Sequence, residues 1–119
     1  MDNFEEQLEN FIRNTDHEYY TTQTKICYFI VERIYKRVLD GYDFGAIKID
    51  EEYGLIKEGN HRYIAYKMAG YDFKIIPWTK NHTDPFNRIN DFVIDNEEDW
   101  DRNDPEYIKY CTDEFLKDL

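Results

Sequence analysis

Apolar residues return at helical spacing from the start of the chain. Phe4, Leu8, Phe11 and Ile12 stand at i, i+4, i+7 and i+8, the stripe of an amphipathic helix over residues 2–14. Asn14-Thr15-Asp16 interrupts it. A longer stripe comes next, made of Ile26, Ile30, Ile34 and Val38 with Cys27 and Val31 beside it. It predicts a helix over residues 22–39, rich enough in apolar residues near 26–31 to be covered on more than one side. Lys25, Glu32, Arg33, Lys36 and Arg37 are expected on its outward side, and Gly41 ends it.

The period then changes. Gly45 to Asp50 alternates apolar and polar residues, the mark of a half-buried strand. Glu51-Glu52 turns the chain, and Tyr53 to Lys57 returns as the second strand of a hairpin. After Gly59, residues 60–69 read as a helix with Ile64, Ala65 and Met68 on one face, stopped by Gly70. Phe73 to Trp78 is a third strand, ended by Pro77. Residues 79–103 are polar and irregular, apart from one short apolar element, Phe92-Val93-Ile94. A last helix is expected from Asp104 as N-cap and Pro105 in the first helical position, with Ile108, Cys111 and Phe115 docking it on the core. The expected fold class is α+β, a small mixed sheet with helices and an acidic C-terminal helix, in one domain over residues 1–119.

Composition sharpens this picture. The 119 residues are 41% apolar and 18% aromatic, enough bulk for a core and against wholesale disorder. Nine of the 11 tyrosines, Tyr63 and Tyr66 among them, are expected outside the centre of that core, filling its edges or serving an interface. No apolar run approaches the roughly 20 residues that span a bilayer, and the acidic start lacks the apolar stretch of a secretory signal. A cytoplasmic protein with no membrane association is the expectation. Cys27 and Cys111 read as small core residues rather than a disulfide.

The net charge is −11, and residues 84–119 carry 12 acidic against 4 basic residues. Such a surface is repelled by the phosphate backbone, so direct binding of duplex DNA is not expected. The acids Asp95, Glu97, Glu98, Asp99, Asp101, Asp113 and Glu114 are expected to form one negative face. That face either solvates the protein or docks on a basic partner. Asp95 to Glu106 carries acids at calcium-loop spacing, but Trp100 stands where that loop needs glycine. His17, His61 and His82 have no zinc-type spacing with the cysteines, so no metal site is expected. The chain contains no serine, which excludes a Ser-His-Asp triad.

The stretch that carries chemistry is Glu58-Gly59-Asn60-His61-Arg62. A strand ends at a glycine and a helix begins at once. The open N–H groups and partial positive charge of a helix N-terminus suit a phosphate. Gly59 lets the backbone approach a ligand, and Arg62 in the first turn adds a bidentate contact. Glu58 and His61 are the catalytic candidates, as general base or proton carrier. The plainer reading is a turn glycine, a capping Asn60 and exposed side chains.

The residues Gly59-Asn60-His61-Arg62, with Ala65, Ala69-Gly70 and Ile76-Pro77 after them, resemble the ParB/sulfiredoxin superfamily. There, two short strands lead through a glycine turn into a helix, and then into a strand ending near proline. Partition proteins carry G-E-R-R at the turn and sulfiredoxins carry G-C-H-R. With the helix before it, the resemblance covers about residues 23–78, leaving an acidic extension over 79–119. It implies a nucleotide or phosphate ligand at Gly59, Asn60, His61 and Arg62, held by the backbone N–H groups of residues 60–62. A nucleoside triphosphate with magnesium is one ligand it allows, and it leaves hydrolase or phosphotransfer activity open. Asn60 departs from both the glutamate and the cysteine, so sulfinic-acid reduction is not expected. The alternative expectation belongs to another class: a non-enzymatic acidic inhibitor or adaptor, of nucleic-acid-mimic type, docked on a basic surface of a nucleic-acid-handling protein.

Overall fold

The fold was determined from a computed structural model, which describes residues 3–79 and 83–111. Helix α1 runs over Phe4–Asn14; the Asn3 side chain accepts the Glu6 N–H at 2.8 Å at its start. Its face turns Leu8 and Ile12 fully inward. Asn90 ties down its other end: the side-chain amide donates to the carbonyls of Ile12 at 3.1 Å and Thr15 at 3.0 Å. Strands β1 (Tyr20–Thr21) and β2 (Lys25–Cys27) come next, then α2 (Tyr28–Leu39), β3 (Ile47–Asp50), β4 (Leu55–Glu58), α3 (Asn60–Ala69), β5 (Ile75–Pro77), β6 (Asn87–Arg88) and β7 (Val93–Asp95).

The main sheet is mixed, with strand order β5-β3-β4-β1-β6. The alternating segments pair as an antiparallel hairpin, Ile49 opposite Ile56. β5 adds parallel to β3, Ile47 opposite Ile75, so the chain crosses over through α3 to reach it. The protein is thus a small α+β fold. Helix α3 touches both β3 and α2, and Ile34, Val38, Ile47, Ile49, Ile56 and Ile64 meet in one core. No helix among the described residues is long and apolar enough to cross a membrane.

Four local expectations are corrected. The helix expected from residue 22 starts at Tyr28. Its first residues are extended, because Lys25, Ile26 and Cys27 pair in parallel with Val93, Ile94 and Asp95. A partner distant in sequence thus overrides the local helical spacing. Arg33 and Arg37, expected in solvent, are turned inward. Arg37 is buried and the Arg33 side chain is only 12% exposed. Tyr63 and Tyr66 are fully buried. The Tyr66 hydroxyl donates to the Gly45 carbonyl at 2.9 Å, the partner a buried tyrosine needs.

The fourth correction concerns the C-terminal helix. Asp104 does cap: its side chain accepts the Glu106 N–H at 2.9 Å, and its carbonyl accepts the Ile108 N–H at 2.8 Å. The chain then continues as a turn and a short 3₁₀ segment, Ile108–Cys111. Ile108 is exposed rather than docked. Phe115, Asp113 and Glu114 lie outside the described residues.

Candidate functional site

Strand β4 ends at Glu58, and Gly59 takes φ 100° and ψ 31°, a left-handed conformation that only glycine adopts without strain. This turn leads from β4, the middle strand of the sheet, straight into α3. The first intrahelical bond runs from the Tyr63 N–H to the Gly59 carbonyl at 2.8 Å. The N–H groups of Asn60, His61 and Arg62 therefore precede the helical ladder, as an anion site requires.

The side chains divide the work differently from the expectation. Asn60 turns into the protein, 3% exposed. Its Oδ1 accepts the Thr21 hydroxyl at 2.5 Å, and Thr21 Oγ1 accepts the Gln23 N–H at 3.1 Å. Nδ2 of Asn60 is buried without a protein acceptor. Through Oδ1 the Asn60 side chain fastens β1 to α3, while the residue also lines the cavity beside Gly59.

His61 is no proton carrier at neutral pH. Nε2 accepts the Cys27 N–H at 3.0 Å, which leaves the ring proton on Nδ1. Burial, helped by the neighbouring Arg62 charge, pushes the imidazole down to about 4. The neutral ring meets the Trp100 indole edge to face, centroids 5.3 Å apart. Glu58 keeps an exposed side chain paired with Lys48 Nζ at 3.1 Å, the ordinary behaviour of a surface acid.

Arg62 folds back over the glycine turn. A methyl group on Gly59 would stand 3.0 Å from Arg62 Nη2 and 3.2 Å from Nε. Arg62 Nη1 donates to the Phe44 carbonyl at 3.3 Å, so the loop before β3 fixes the guanidinium.

Beside these residues lies a cavity of about 350 Å³, within the size range of small-molecule sites. Glu58, Gly59, Asn60, His61 and Arg62 line it together with Arg33 and Asp101. Ile30, Ile34, Phe44 and Tyr107 add apolar wall. Sequence reading missed Arg33 here. Its place depends on residues 99 and 101 returning to α2, which no local spacing announces.

That acidic run does not form one outward face. Asp99 and Asp101 both ion-pair with Arg33, Asp101 Oδ2 lying 2.7 Å from Nη1. Burial raises the Asp101 carboxyl above its usual value and outweighs the attraction of Arg33. Asp95 accepts the Trp100 indole N–H at 2.8 Å and the Glu97 N–H at 3.0 Å. Glu97 and Glu98 remain exposed. Each of these aspartates thus has a protein partner, and no group of three or more metal-ligating side chains assembles among the described residues. Cys27 and Cys111 are free thiols. Comparison with protein-family models, with curated sequences and with solved structures returns no match.

Proposed function

We propose that the cavity at Gly59–Arg62 binds a phosphate monoester, a nucleotide being the class that the ParB/sulfiredoxin resemblance points to. The observation that carries the reading is the left-handed Gly59, which opens α3 with three N–H groups outside the helical ladder, in a turn whose residues Gly59 to Arg62 line one cavity. His61 supports it as a neutral ring with its proton on Nδ1. The apolar wall of Ile30, Ile34, Phe44 and Tyr107 suits the non-phosphate part of such a ligand.

A triphosphate with magnesium fits these residues poorly. The carboxylates lining the cavity, Glu58 and Asp101, are engaged by Lys48 and Arg33. Two arginines against two acids leave the side chains of the lining near neutral, so that the helix N-terminus and Arg62 suit one phosphate group rather than the larger charge of a triphosphate. The reading is of binding, and no chemical step is assigned to Glu58 or His61.

Calorimetric titration with inorganic phosphate and a panel of nucleoside mono- and triphosphates tests it. Arg62→Ala removes a charge-assisted contact worth roughly 1.5–3 kcal/mol, about ten- to a hundredfold in affinity. Equal affinity of the variant and the parent overturns the assignment.

A further inference from the structure

Arg33 is the second arginine of the cavity, and it is already occupied. Asp99 and Asp101 reach it from 66 and 68 residues away in sequence. Their side chains are only 9% and 15% exposed. The short turn between them is self-held: Asp99 Oδ1 accepts the Asp101 N–H at 3.1 Å. Trp100, between the two acids, lies against His61 of the glycine turn. One guanidinium thus holds two carboxylates, and with one of them, Asp101, it lines the cavity that Gly59 and Arg62 also line.

Two acids side by side on the Arg33 guanidinium each feel the neighbour's negative charge, which disfavours the pair. Arg37, one helical turn further along α2, lies near enough to act on Asp101 but does not displace Arg33 as its pairing partner. A guanidinium flanked by carboxylate oxygens presents the donor geometry that a phosphate also uses. We propose that the Asp99–Asp101 turn is an internal competitor for the phosphate cavity, holding Arg33 while the cavity is empty and yielding it to an entering phosphate. The inference rests on the phosphate reading above and concerns how that site is regulated.

Such competition lowers the observed affinity by the fraction of time the turn is docked. A turn docked nine-tenths to ninety-nine hundredths of the time weakens binding by about ten- to a hundredfold. Phosphate arriving on Arg33 also moves Trp100 away from His61.

The test titrates inorganic phosphate and a nucleoside monophosphate into the full chain, into Asp101→Asn, and into Arg62→Ala. Binding about tenfold or more tighter in Asp101→Asn supports the competitor. Affinity unchanged or weaker in Asp101→Asn, with Arg62→Ala still impaired, overturns the competitor and leaves the phosphate site standing. No binding to any of the three proteins overturns both. A second readout keeps Asp101 in place: in Trp78→Phe, Trp100 is the sole indole, and its emission reports the turn. A Trp100 signal that titrates with phosphate at the calorimetric affinity supports displacement. Phosphate binding that leaves Trp100 emission and its quenching by acrylamide unchanged overturns it.

Discussion

The backbone N–H of Cys27 donates to His61 Nε2 across 3.0 Å, joining the last residue of β2 to the first turn of α3. A single bond thereby sets the tautomer of the ring and keeps the imidazole in its accepting, neutral form.

That relationship has a consequence for stability. The folded imidazole titrates near 4, because burial disfavours its charged form, whereas an exposed histidine titrates near 6.5. Between those values the unfolded chain binds a proton that the folded chain refuses. Stability is therefore fully present above about pH 6.5 and drains as pH falls toward 4, by up to about 1.4 kcal/mol per pH unit for this one group. His17, lowered mainly by burial, acts in the same direction, and Asp101, raised by burial, acts in the opposite one. The difference between parent and His61→Gln isolates the ring, since glutamine still offers an acceptor to Cys27. Urea unfolding from pH 7.5 to 4.5 should show a shallower loss in the variant; equal slopes would falsify the assignment.

The Thr21 hydroxyl and Asn60 Oδ1 form the buried bond that ties β1 to α3. Thr21→Val should cost about 1–3 kcal/mol, because it strips the donor from a buried acceptor. Asn60→Ala should cost less than that bond alone implies, since it also removes the unpartnered Nδ2. A double-mutant cycle measured by denaturant unfolding should return a coupling of about 1 kcal/mol or more. Additive losses would show that the two side chains do not share the bond.

The hairpin and α3 were legible because each obeys one local rule. Alternation marks β3, and glycines bracket α3 at Gly59 and Gly70. Illegible were the elements whose conformation comes from distant partners. Strands β1 and β6, two residues each, exist only by pairing Tyr20 with Arg88 and with Leu55. Strand β2 borrowed its apolar residues from what read as the stripe of α2. At the site, Gly59 and Arg62 follow from turn and helix chemistry. Arg33 required knowing that residues 99 and 101 come back to α2, and no spacing rule carries that. Asn60 read as a cap, yet its side chain turns inward because Thr21 waits there.

Tyr66 illustrates how an aromatic residue on a helix becomes core. Its ring is stacked with Phe73, centroids 5.8 Å apart and 18° between planes, and its hydroxyl reaches Gly45. Burial pushes that hydroxyl up to about 12, so it stays a donor at any physiological pH. Tyr66→Phe should cost about 1 kcal/mol for the lost bond, and Tyr66→Ala about 3–5 kcal/mol once the ring leaves a cavity. Denaturation midpoints order the two; a phenylalanine variant as damaged as the alanine one would place the hydroxyl, not the ring, at the centre of the packing.

Gly59 and Gly41 separate backbone strain from site geometry. Both have strongly positive φ, 100° and 96°, so an alanine at either position meets the same left-handed penalty of roughly 1–3 kcal/mol. Their surroundings differ. A methyl group on Gly41 has nothing within 4 Å, whereas one on Gly59 presses on Arg62 Nη2 at 3.0 Å. The guanidinium is the far end of a flexible side chain, so it swings aside at little further cost to folding. It then leaves the Phe44 carbonyl and its place over the glycine turn. Gly41→Ala and Gly59→Ala should therefore lose similar stability in urea, while only Gly59→Ala loses phosphate affinity, by about tenfold or more. Two alanine variants that bind phosphate equally well would remove Gly59 from the site and leave it a turn residue alone.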